Sequence, residues 1–326
     1  QGVAWRPKNS PAVYNGPIRI RRALAQSKNV ISVRLLRGVG LERTADHLLK
    51  FGFLNSDINR SESLALGSAS ITPLELARGM SAFANGGHLI KPYFITEILD
   101  SAGNTLFKAN PQLACDSPKP AATVELAARD SSQLSITETE QTPVQRCAPR
   151  IISKQNAFLI SQAMHSAIWG GGSWSHKTGW SGTGWRAQAL DRRDLAGKTG
   201  TTNDSVDTWF SGFNRNVLTS VWVGFDNPGI TLGRSARNKN LDNSQISGAE
   251  SGAKTAQPAW VDFMRAALDG MPEAPIELPE GLVSVRIDLA TGLLSHKNDY
   301  TSRFEYFIKG TAPTKYVTEE PTDVFE

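Results

Sequence analysis

The sequence has few of the features that would place it in a specialised structural class. Histidine and cysteine are scarce, with 5 and 2 copies in 326 residues, and the histidines show no ligand spacing, so we predict no metal and no cofactor. No run of 18 apolar residues occurs, which predicts that no helix within these residues spans a membrane. The excess of basic over acidic residues is small, 35 against 31, and no nucleic-acid partner is expected.

Helical patterns recur along the chain. Apolar residues follow the helical period over residues 29–53, and Gly38 and Gly40 divide this stretch into two helices. The run from Thr72 to Glu75 has the form of a capping box with proline at the first helical position, and predicts the start of another helix. Two further helices are predicted, over residues 154–169 and 258–268.

Strand patterns are interspersed with these helices but do not form regular strand–helix–strand units. A strand over residues 88–99 is expected to return through residues 105–108. Two β-rich runs, residues 207–213 and 217–225, are joined by a short polar turn, and a C-terminal strand is expected over residues 283–287. Helices mixed with antiparallel strands predict the α+β class.

The middle of the chain differs in composition from the rest. Residues 110–150 are rich in Ser, Thr, Pro, Ala and Glu, and we expect a low-complexity, flexible insertion between residues 1–109 and 151–326. Cys115 and Cys147 lie near its two ends. A disulfide between them would stabilise the fold by about 3 to 4 kcal/mol and would fit an oxidising compartment. Two unpaired surface thiols are an alternative that the sequence leaves open.

The densest basic cluster is Arg19-Ile20-Arg21-Arg22. We interpret it as the solvated face of a helix. The alternative is a positive field that attracts an anionic peptide.

Two short motifs, Ser-x-Asn and Lys-Thr-Gly, occur in that order along the chain. Ser27-Lys28-Asn29 is a Ser-x-Asn motif, and a Lys-Thr-Gly motif begins at Lys198. Ser-x-x-Lys, Ser-x-Asn and Lys-Thr-Gly, in that order, are the motifs of penicillin-binding proteins and serine β-lactamases. The first is missing upstream of the other two. Ser251 is the only serine followed three positions later by lysine, Lys254, but it lies after Lys-Thr-Gly, and we interpret it as part of a loop.

The Lys-Thr-Gly triplet occurs twice. The copy at Lys177 lies in a Gly- and Trp-rich run that we interpret as a loop, whereas the copy at Lys198 precedes the two β-rich runs and is expected to begin a hairpin. We therefore select Lys198. A phosphate-binding loop ending at Lys198 is disfavoured, because that motif requires a glycine where this chain has Arg192.

Longer stretches extend the resemblance beyond these triplets. The chain resembles the transpeptidase domain of class A penicillin-binding proteins over nearly its whole length except about residues 110–150. The fold implied is an antiparallel sheet flanked by helices plus a helical subdomain, as in penicillin-binding proteins and serine β-lactamases. The matching segments are Tyr14-Asn-Gly-Pro-Ile-Arg-Ile-Arg, Gln26-Ser-Lys-Asn-Val, Glu62-Ser-Leu-Ala-Leu-Gly-Ser-Ala-Ser-Ile-Thr-Pro-Leu-Glu, Phe83-Ala-Asn-Gly-Gly, Gly182-Thr-Gly-Trp-Arg-Ala, Gly197-Lys-Thr-Gly-Thr-Thr-Asn and Glu305-Tyr-Phe-Ile-Lys-Gly-Thr.

The chemistry that the resemblance implies is acyl transfer through a serine ester. A stem peptide ending in D-Ala-D-Ala acylates the serine, D-Ala leaves, and an amine of a neighbouring stem completes a cross-link. We expect Ser27 to relay a proton to the leaving amine. Lys198 is expected to maintain the proton balance of the Ser27 hydroxyl and to attract the substrate carboxylate. The expected substrate contacts are Asn29 to the substrate amide, the Thr199 and Thr201 hydroxyls to the terminal carboxylate, Gly200 for close approach, and the Thr201 N–H as an oxyanion donor.

The chain departs from this family in what it does not contain. Ser-x-x-Lys, a membrane anchor and a glycosyltransferase domain are missing from this sequence, so we expect it to be part of a longer polypeptide that holds them. The implied location is the periplasmic face of the inner membrane, anchored by a segment outside this chain. The implied partners are peptidoglycan stem peptides, β-lactam antibiotics and outer-membrane lipoprotein activators.

Several alternatives stay open at this stage. A β-lactamase would need a deacylating base, commonly in Glu-x-x-Leu-Asn, and no such run lies between the two motifs. A D,D-carboxypeptidase and a non-catalytic peptidoglycan-binding scaffold or β-lactam sensor remain. Ser27 and Asn29 could cap a helix. Trp180 and Trp185 could line a cleft or be buried, and Asp207 is expected to be a hydrogen-bond partner at a strand end.

Overall fold

A computed structural model describes residues 5–14, 16–117, 146–233 and 250–318. The α-helices there are α1 (Ile20–Ala25), α2 (Asn29–Val39), α3 (Leu41–Leu49), α4 (Pro73–Ala84), α5 (Lys154–Trp169) and α6 (Ala256–Ala267), and short 3₁₀ helices lie at Glu62–Leu66, Trp185–Leu190 and Asn203–Ser205. The strands are β1 (Glu97–Leu99), β2 (Thr105–Lys108), β3 (Ala196–Thr201), β4 (Thr208–Phe213), β5 (Leu218–Val223), β6 (Leu282–Asp288) and β7 (Ser302–Ile308). All the paired strands are antiparallel, so the predicted α+β class is confirmed.

The central sheet has the strand order β3-β4-β5, which leaves β3 at an edge. Helix α5 packs on β3, α6 packs on β4 and β5, and α4 contacts β5. The core of this layer includes the fully buried side chains of Leu195, Phe210, Trp260 and Met264. Burial of such large apolar groups holds the edge strand, and with it Lys198, in a fixed position.

Helices α2 and α3 pack on each other and, with the 3₁₀ helix Glu62–Leu66 against α2, form a helical subdomain, whereas α4 packs on α5 and β5. The predicted break between α2 and α3 is confirmed, because Gly40 adopts φ 97°, a backbone conformation that favours glycine. The predicted capping box at α4 is also confirmed. The Thr72 Oγ1 accepts from Glu75 N at 3.2 Å, and Thr72 N donates to Glu75 Oε2 at 2.8 Å.

Two predicted elements differ from the structure. The predicted strand over residues 88–99 is reduced to Glu97–Leu99, because Pro92 has no N–H to donate to a ladder. His88 is instead buried, with its Nδ1 at 2.8 Å from Ala148 O. Helix α6 begins two residues before the predicted Pro258, which is tolerated because the first-turn N–H groups of a helix have no partner within it.

The basic cluster at Arg19–Arg22 is not simply a solvated helix face, so that interpretation is wrong. Arg21 Nε donates to Glu305 Oε2 at 2.9 Å, and its Nη2 also contacts the Glu305 carboxylate. The side chains of Arg21 and Glu305 are only 10% and 12% exposed. This buried pair joins α1 to the hairpin of β6 and β7.

Cys115 and Cys147 form a disulfide, with their Cα atoms 5.1 Å apart. This resolves the alternative that the sequence left open. The expected flexible insertion falls largely on residues 118–145, which lie outside the described residues. None of the helices in the described part of the chain is long and apolar enough to span a membrane.

Candidate active site

Ser27 lies in the junction between α1 and α2 and has a left-handed backbone, with φ 52°. Residues other than glycine rarely adopt this conformation, and such strain is concentrated at functional sites. The Ser27 Oγ accepts a hydrogen bond from Lys198 Nζ at 3.0 Å. The structure thus brings together the two motifs, which are 171 residues apart in sequence.

The alternative in which Ser27 caps α2 is wrong. The N-cap position belongs to Lys28, and the N–H of Val30 donates to Asn9 Oδ1 at 3.1 Å. Asn9 is buried and lies far upstream of the helix, so no local pattern marked it as the capping residue. The Ser27 hydroxyl is therefore left to the groove that it shares with Lys198.

Lys198 lies in the edge strand β3, and its side chain is partly buried. Its Nζ donates to Ser27 Oγ and, at 2.8 Å, to Thr199 O. Burial lowers the pKa of Lys198 to about 8, well below its usual value. An amine with such a pKa exchanges a proton near neutral pH far more readily than an exposed lysine.

The edge of β3 that faces away from β4 pairs with no other strand in the described part of the chain. Thr202 N donates to Asp207 O on the β4 side at 3.0 Å. In an antiparallel ladder successive residues alternate between facing the partner strand and facing away from it, so the Thr201 N–H points away from β4. It is therefore directed at the open edge, where the sequence predicted an oxyanion donor.

The two threonine side chains of the motif are held by residues that the motif search did not identify. Thr199 Oγ1 donates to Thr183 Oγ1 at 2.7 Å, and Thr201 Oγ1 accepts from Gly252 N at 3.0 Å. Thr183 N in turn donates to Ala25 O at 3.0 Å, next to Ser27. Thr183 lies in Gly182-Thr-Gly-Trp-Arg-Ala, one of the segments that resemble the family. No local sequence pattern predicts its contact with Thr199.

Two grooves lie beside β3 and both reach Ser27, Asn29, Thr199 and Thr201. The first groove has a volume of about 1160 Å³ and is also lined by Thr183, Trp185, Asp204, Glu250, Ser251 and Lys254. The second groove has a volume of about 960 Å³ and is also lined by Lys198, Gly200, Leu24, Ile71, Leu76 and Met80. All six residues selected from the motifs therefore line at least one groove.

Asn29 is the first residue of α2 and borders both grooves. Its Nδ2 donates to the backbone carbonyl of Lys8 at 2.9 Å. This contact orients the amide group, whose oxygen still has acceptor capacity.

The structure also places four other residues that the sequence analysis considered: Lys177, Trp180, Trp185 and Asp207. Lys177 is exposed in a tight turn with φ 59° and lines neither groove, as expected for a loop copy of the triplet. Trp180 is buried, whereas Trp185 lines the first groove and is 49% exposed. Asp207 Oδ1 accepts from Trp222 Nε1 at 2.8 Å, which confirms the expected role at a strand end.

Ser251 and Lys254 lie in the wall of the first groove, a position that the order of the motifs gave no reason to expect.

In the described part of the chain, no group of three or more His, Cys, Asp or Glu side chains is arranged to hold a metal ion.

Known proteins resemble the chain in sequence and in fold. Penicillin-binding protein 1A of Vibrio cholerae is 49% identical over 98% of this chain and 37% of its own length. The crystal structure of penicillin-binding protein 1A from Haemophilus influenzae matches with a TM-score of 0.79 and 42% identity, over 96% of this chain and 43% of that one. The PonA1 protein from Mycobacterium tuberculosis, in complex with penicillin V, shares the fold with a TM-score of 0.57 and 20% identity, over 83% of this chain and 63% of that one.

The chain thus spans about two fifths of the length of the penicillin-binding protein 1A relatives that it matches. Two family models cover most of it. The penicillin-binding protein transpeptidase domain matches residues 1–257, and the C-terminal domain of penicillin-binding protein 1A matches residues 278–322. The chain therefore belongs to the family of penicillin-binding protein transpeptidase domains, and carries the C-terminal domain typical of penicillin-binding protein 1A.

Proposed function

We propose that this chain is the acyl-transfer part of a peptidoglycan D,D-transpeptidase that works through an acyl-serine intermediate. The observation that supports this most is the 3.0 Å hydrogen bond between Lys198 Nζ and Ser27 Oγ beside the open edge of β3. The partly buried ammonium of Lys198 and the strained backbone of Ser27 both lower the stability of the fold. Such destabilising features are typical of catalytic sites.

In the proposed reaction, the lysine of a Ser-x-x-Lys segment would take the hydroxyl proton of its serine, and the serine oxygen would add to the carbonyl carbon of the penultimate D-Ala. The bond from that carbon to the terminal D-Ala nitrogen breaks, and the nitrogen leaves with a proton delivered through the Ser27 hydroxyl. Lys198 replaces this proton, which is favourable because its pKa is lowered to about 8. An amine of a second stem peptide then attacks the ester and forms the cross-link, its proton returns through Ser27 to Lys198, and the released serine regains its own proton from the lysine of its segment.

The remaining site residues would bind the donor peptide. The outward Thr201 N–H would donate to the developing oxyanion, a contact typically worth about 100-fold or more in rate. Thr201 Oγ1 already accepts from Gly252 N, so its own hydroxyl proton is available for the substrate carboxylate. Thr199 would act partly through Thr183, to which it donates. Gly200 would allow the peptide to approach the strand closely.

The nucleophile itself is expected in a Ser-x-x-Lys segment. We place this segment in the second groove, where Ser27, Asn29 and Lys198 meet a wall of apolar side chains from Leu24, Leu76 and Met80. An amphipathic helix starting at the serine would bury its apolar face there and present the serine and lysine to Ser27 and Asn29.

The wider setting follows from the same proposal. The substrates would be peptidoglycan stem peptides, with β-lactams as acylating inhibitors, and outer-membrane lipoproteins as activators of the whole protein. The location would be the periplasmic face of the inner membrane, with a glycosyltransferase domain elsewhere in the polypeptide. A disulfide between Cys115 and Cys147 fits an oxidising compartment of this kind.

Covalent labelling by a fluorescent penicillin tests the proposed function. We expect no labelling of this chain by itself, because it contains no Ser-x-x-Lys before Ser27, and labelling of a longer polypeptide that adds such a segment. Labelling of this chain would show that one of its own serines is the nucleophile. A stem-peptide assay on the longer protein then separates transpeptidation, with cross-linked product, from D,D-carboxypeptidase action, with D-Ala release alone.

A further inference from the structure

Gln257 lies in the first turn of α6 and is fully buried, although its side chain is polar. Its Nε2 donates to the carbonyl oxygen of Gly184 at 2.7 Å. Its Oε1 accepts no hydrogen bond from any group in the described part of the chain. A buried amide with an unsatisfied oxygen is costly to a fold, so packing alone would favour an apolar side chain of the same size.

The carbonyl that Gln257 holds belongs to the residue next to Thr183. Gly184 N donates to Ala167 O in α5 at 2.9 Å, and Thr183 N donates to Ala25 O in α1 at 3.0 Å. The side chain of Gln257 adds a contact from a third element, α6. The backbone around Thr183 is therefore held by three helices at once.

Thr183 carries this contact to the edge strand β3. Thr199 Oγ1 donates to Thr183 Oγ1 at 2.7 Å. The proton of the Thr199 hydroxyl is thus directed at Thr183, and the direction of its lone pairs depends on where Thr183 lies. Gln257 itself lines neither groove. Its side chain acts on Thr199 through Gly184 and Thr183.

The backbone of Gln257 makes a second link to the same strand. Gln257 N donates to Gly252 O at 2.8 Å, and Gly252 N donates to Thr201 Oγ1 at 3.0 Å. A Cβ atom at Gly252 would lie 2.2 Å from Trp209 O, so only glycine fits this close approach. One residue of α6 is therefore linked to the partners of both Thr199 and Thr201.

We infer that Gln257 is a positioning residue of the active site. Its side chain fixes Gly184, and with it Thr183, so that the Thr199 hydroxyl keeps one orientation at the edge of β3. The inference rests on the proposed function, in which Thr199 contacts the donor peptide. A small displacement of such a contact lowers the rate, because catalysis depends on geometry that is fixed before the reaction. The unsatisfied Oε1 is tolerated because an apolar side chain could not donate to the Gly184 carbonyl.

The substitution Gln257→Met tests the inference, because methionine has a similar length but cannot donate to Gly184 O. Ala187 N also donates to that carbonyl, at 3.1 Å, so the substitution leaves it with a donor. We expect the midpoint of urea denaturation of this chain to stay the same or rise, while the methyl resonances of Thr183 and Thr199 shift in NMR spectra. In a polypeptide that adds a Ser-x-x-Lys segment, the rate of acylation by a fluorescent penicillin should fall about fivefold to tenfold.

Gln155→Met is the matched control. Gln155 Nε2 also donates to a backbone carbonyl, that of Glu280 at 2.6 Å, and Gln155 lines neither groove. This control should leave the acylation rate and the two methyl resonances unchanged. In a Thr183→Val background, Gln257→Met should lower the rate by less than about twofold, because the contact through which it acts is already lost.

An unchanged acylation rate, or a rate that falls only together with the denaturation midpoint, would overturn the inference. So would an unshifted Thr199 methyl resonance, or a full further loss of rate in the Thr183→Val background. Each of these results leaves the proposed function intact, whereas no labelling of the longer polypeptide would contradict the proposed function and the inference together. If Gln257→Met does not fold, Gln257→Leu provides the same comparison, and unfolding of both variants would make Gln257 a structural residue.

Discussion

Ser27 combines a left-handed backbone with a hydrogen bond from Lys198 to its side chain. Its φ of 52° costs about 1 kcal/mol or more for a residue with a side chain, and glycine avoids this cost. We therefore expect Ser27→Gly to have a free energy of unfolding at least about 0.5 kcal/mol above that of Ser27→Ala, although both lose the hydroxyl. Urea denaturation measures the difference. If Ser27→Gly is the less stable of the two, the backbone at this position is not strained.

Lys198 should make the stability of the chain depend on alkaline pH. Burial lowers its pKa to about 8 in the folded chain, against 10.5 ordinarily, so between these values the unfolded chain binds more protons. Stability should therefore rise with pH across this window, by up to about 3 kcal/mol. Lys198→Met should lack this rise. The free energy of unfolding of this variant, compared with that of the unsubstituted chain, should therefore be highest below pH 8. Denaturation of both proteins from pH 7 to pH 10.5 checks this, and parallel curves would contradict the lowered pKa.

Within the candidate site, single residues were predictable from sequence only where a motif contained them. Ser27 and Lys198 were found because three-residue motifs occur in a fixed order, and the structure places them 3.0 Å apart. Asn9, Thr183 and Gly252 were not found as partners of the site. Their contacts join positions that are distant in sequence, and no local periodicity or spacing reports such a pairing.

The C-terminal hairpin is joined to the helix before Ser27 by a buried ion pair. Burial alone would raise the pKa of Glu305, but its hydrogen bond with Arg21 and the charges of Arg21 and Arg303 hold that pKa below its usual range. Stability from this pair is therefore present above the usual carboxyl pKa and is lost as pH falls through the lowered one.

We expect Glu305→Gln to lower the free energy of unfolding by about 3 kcal/mol, because it leaves a buried arginine without its counter-charge. The matched control is Glu62→Gln, which breaks the exposed pair with Arg37 and should change stability little. Urea denaturation at pH 7 compares the two. Similar small losses in both variants would mean that the Arg21–Glu305 pair does not hold the hairpin to α1.

Elements with strong local signals were predicted with nearly correct bounds. The capping box at Thr72 and the glycine at position 40 specify their helix ends through short-range chemistry. The strand over residues 88–99 failed because its apolar pattern was given more weight than Pro92. The arginine cluster failed for another reason, since its partner Glu305 lies 284 residues away from Arg21.

At the level of the whole molecule, β3 separates two grooves with different tasks in our account. One holds the donor peptide and the other receives the nucleophile segment, and Ser27, Asn29, Thr199 and Thr201 border both. The family and fold class could be inferred from motifs and longer matching segments. The two grooves could not, because they arise from the packing of a sheet edge against loops that are remote in sequence.

The rate of acylation by a fluorescent penicillin, in a polypeptide that adds the Ser-x-x-Lys segment, tests the central claim most directly. We expect Lys198→Ala to lower this rate by at least about 100-fold, because one transition-state contact and the proton supply to Ser27 are lost. Lys177→Ala is the matched control in the second triplet, and should change the rate by less than about threefold. Equal effects of the two substitutions, or a larger effect of Lys177→Ala, would contradict the assignment of the active site to Lys198 and Ser27.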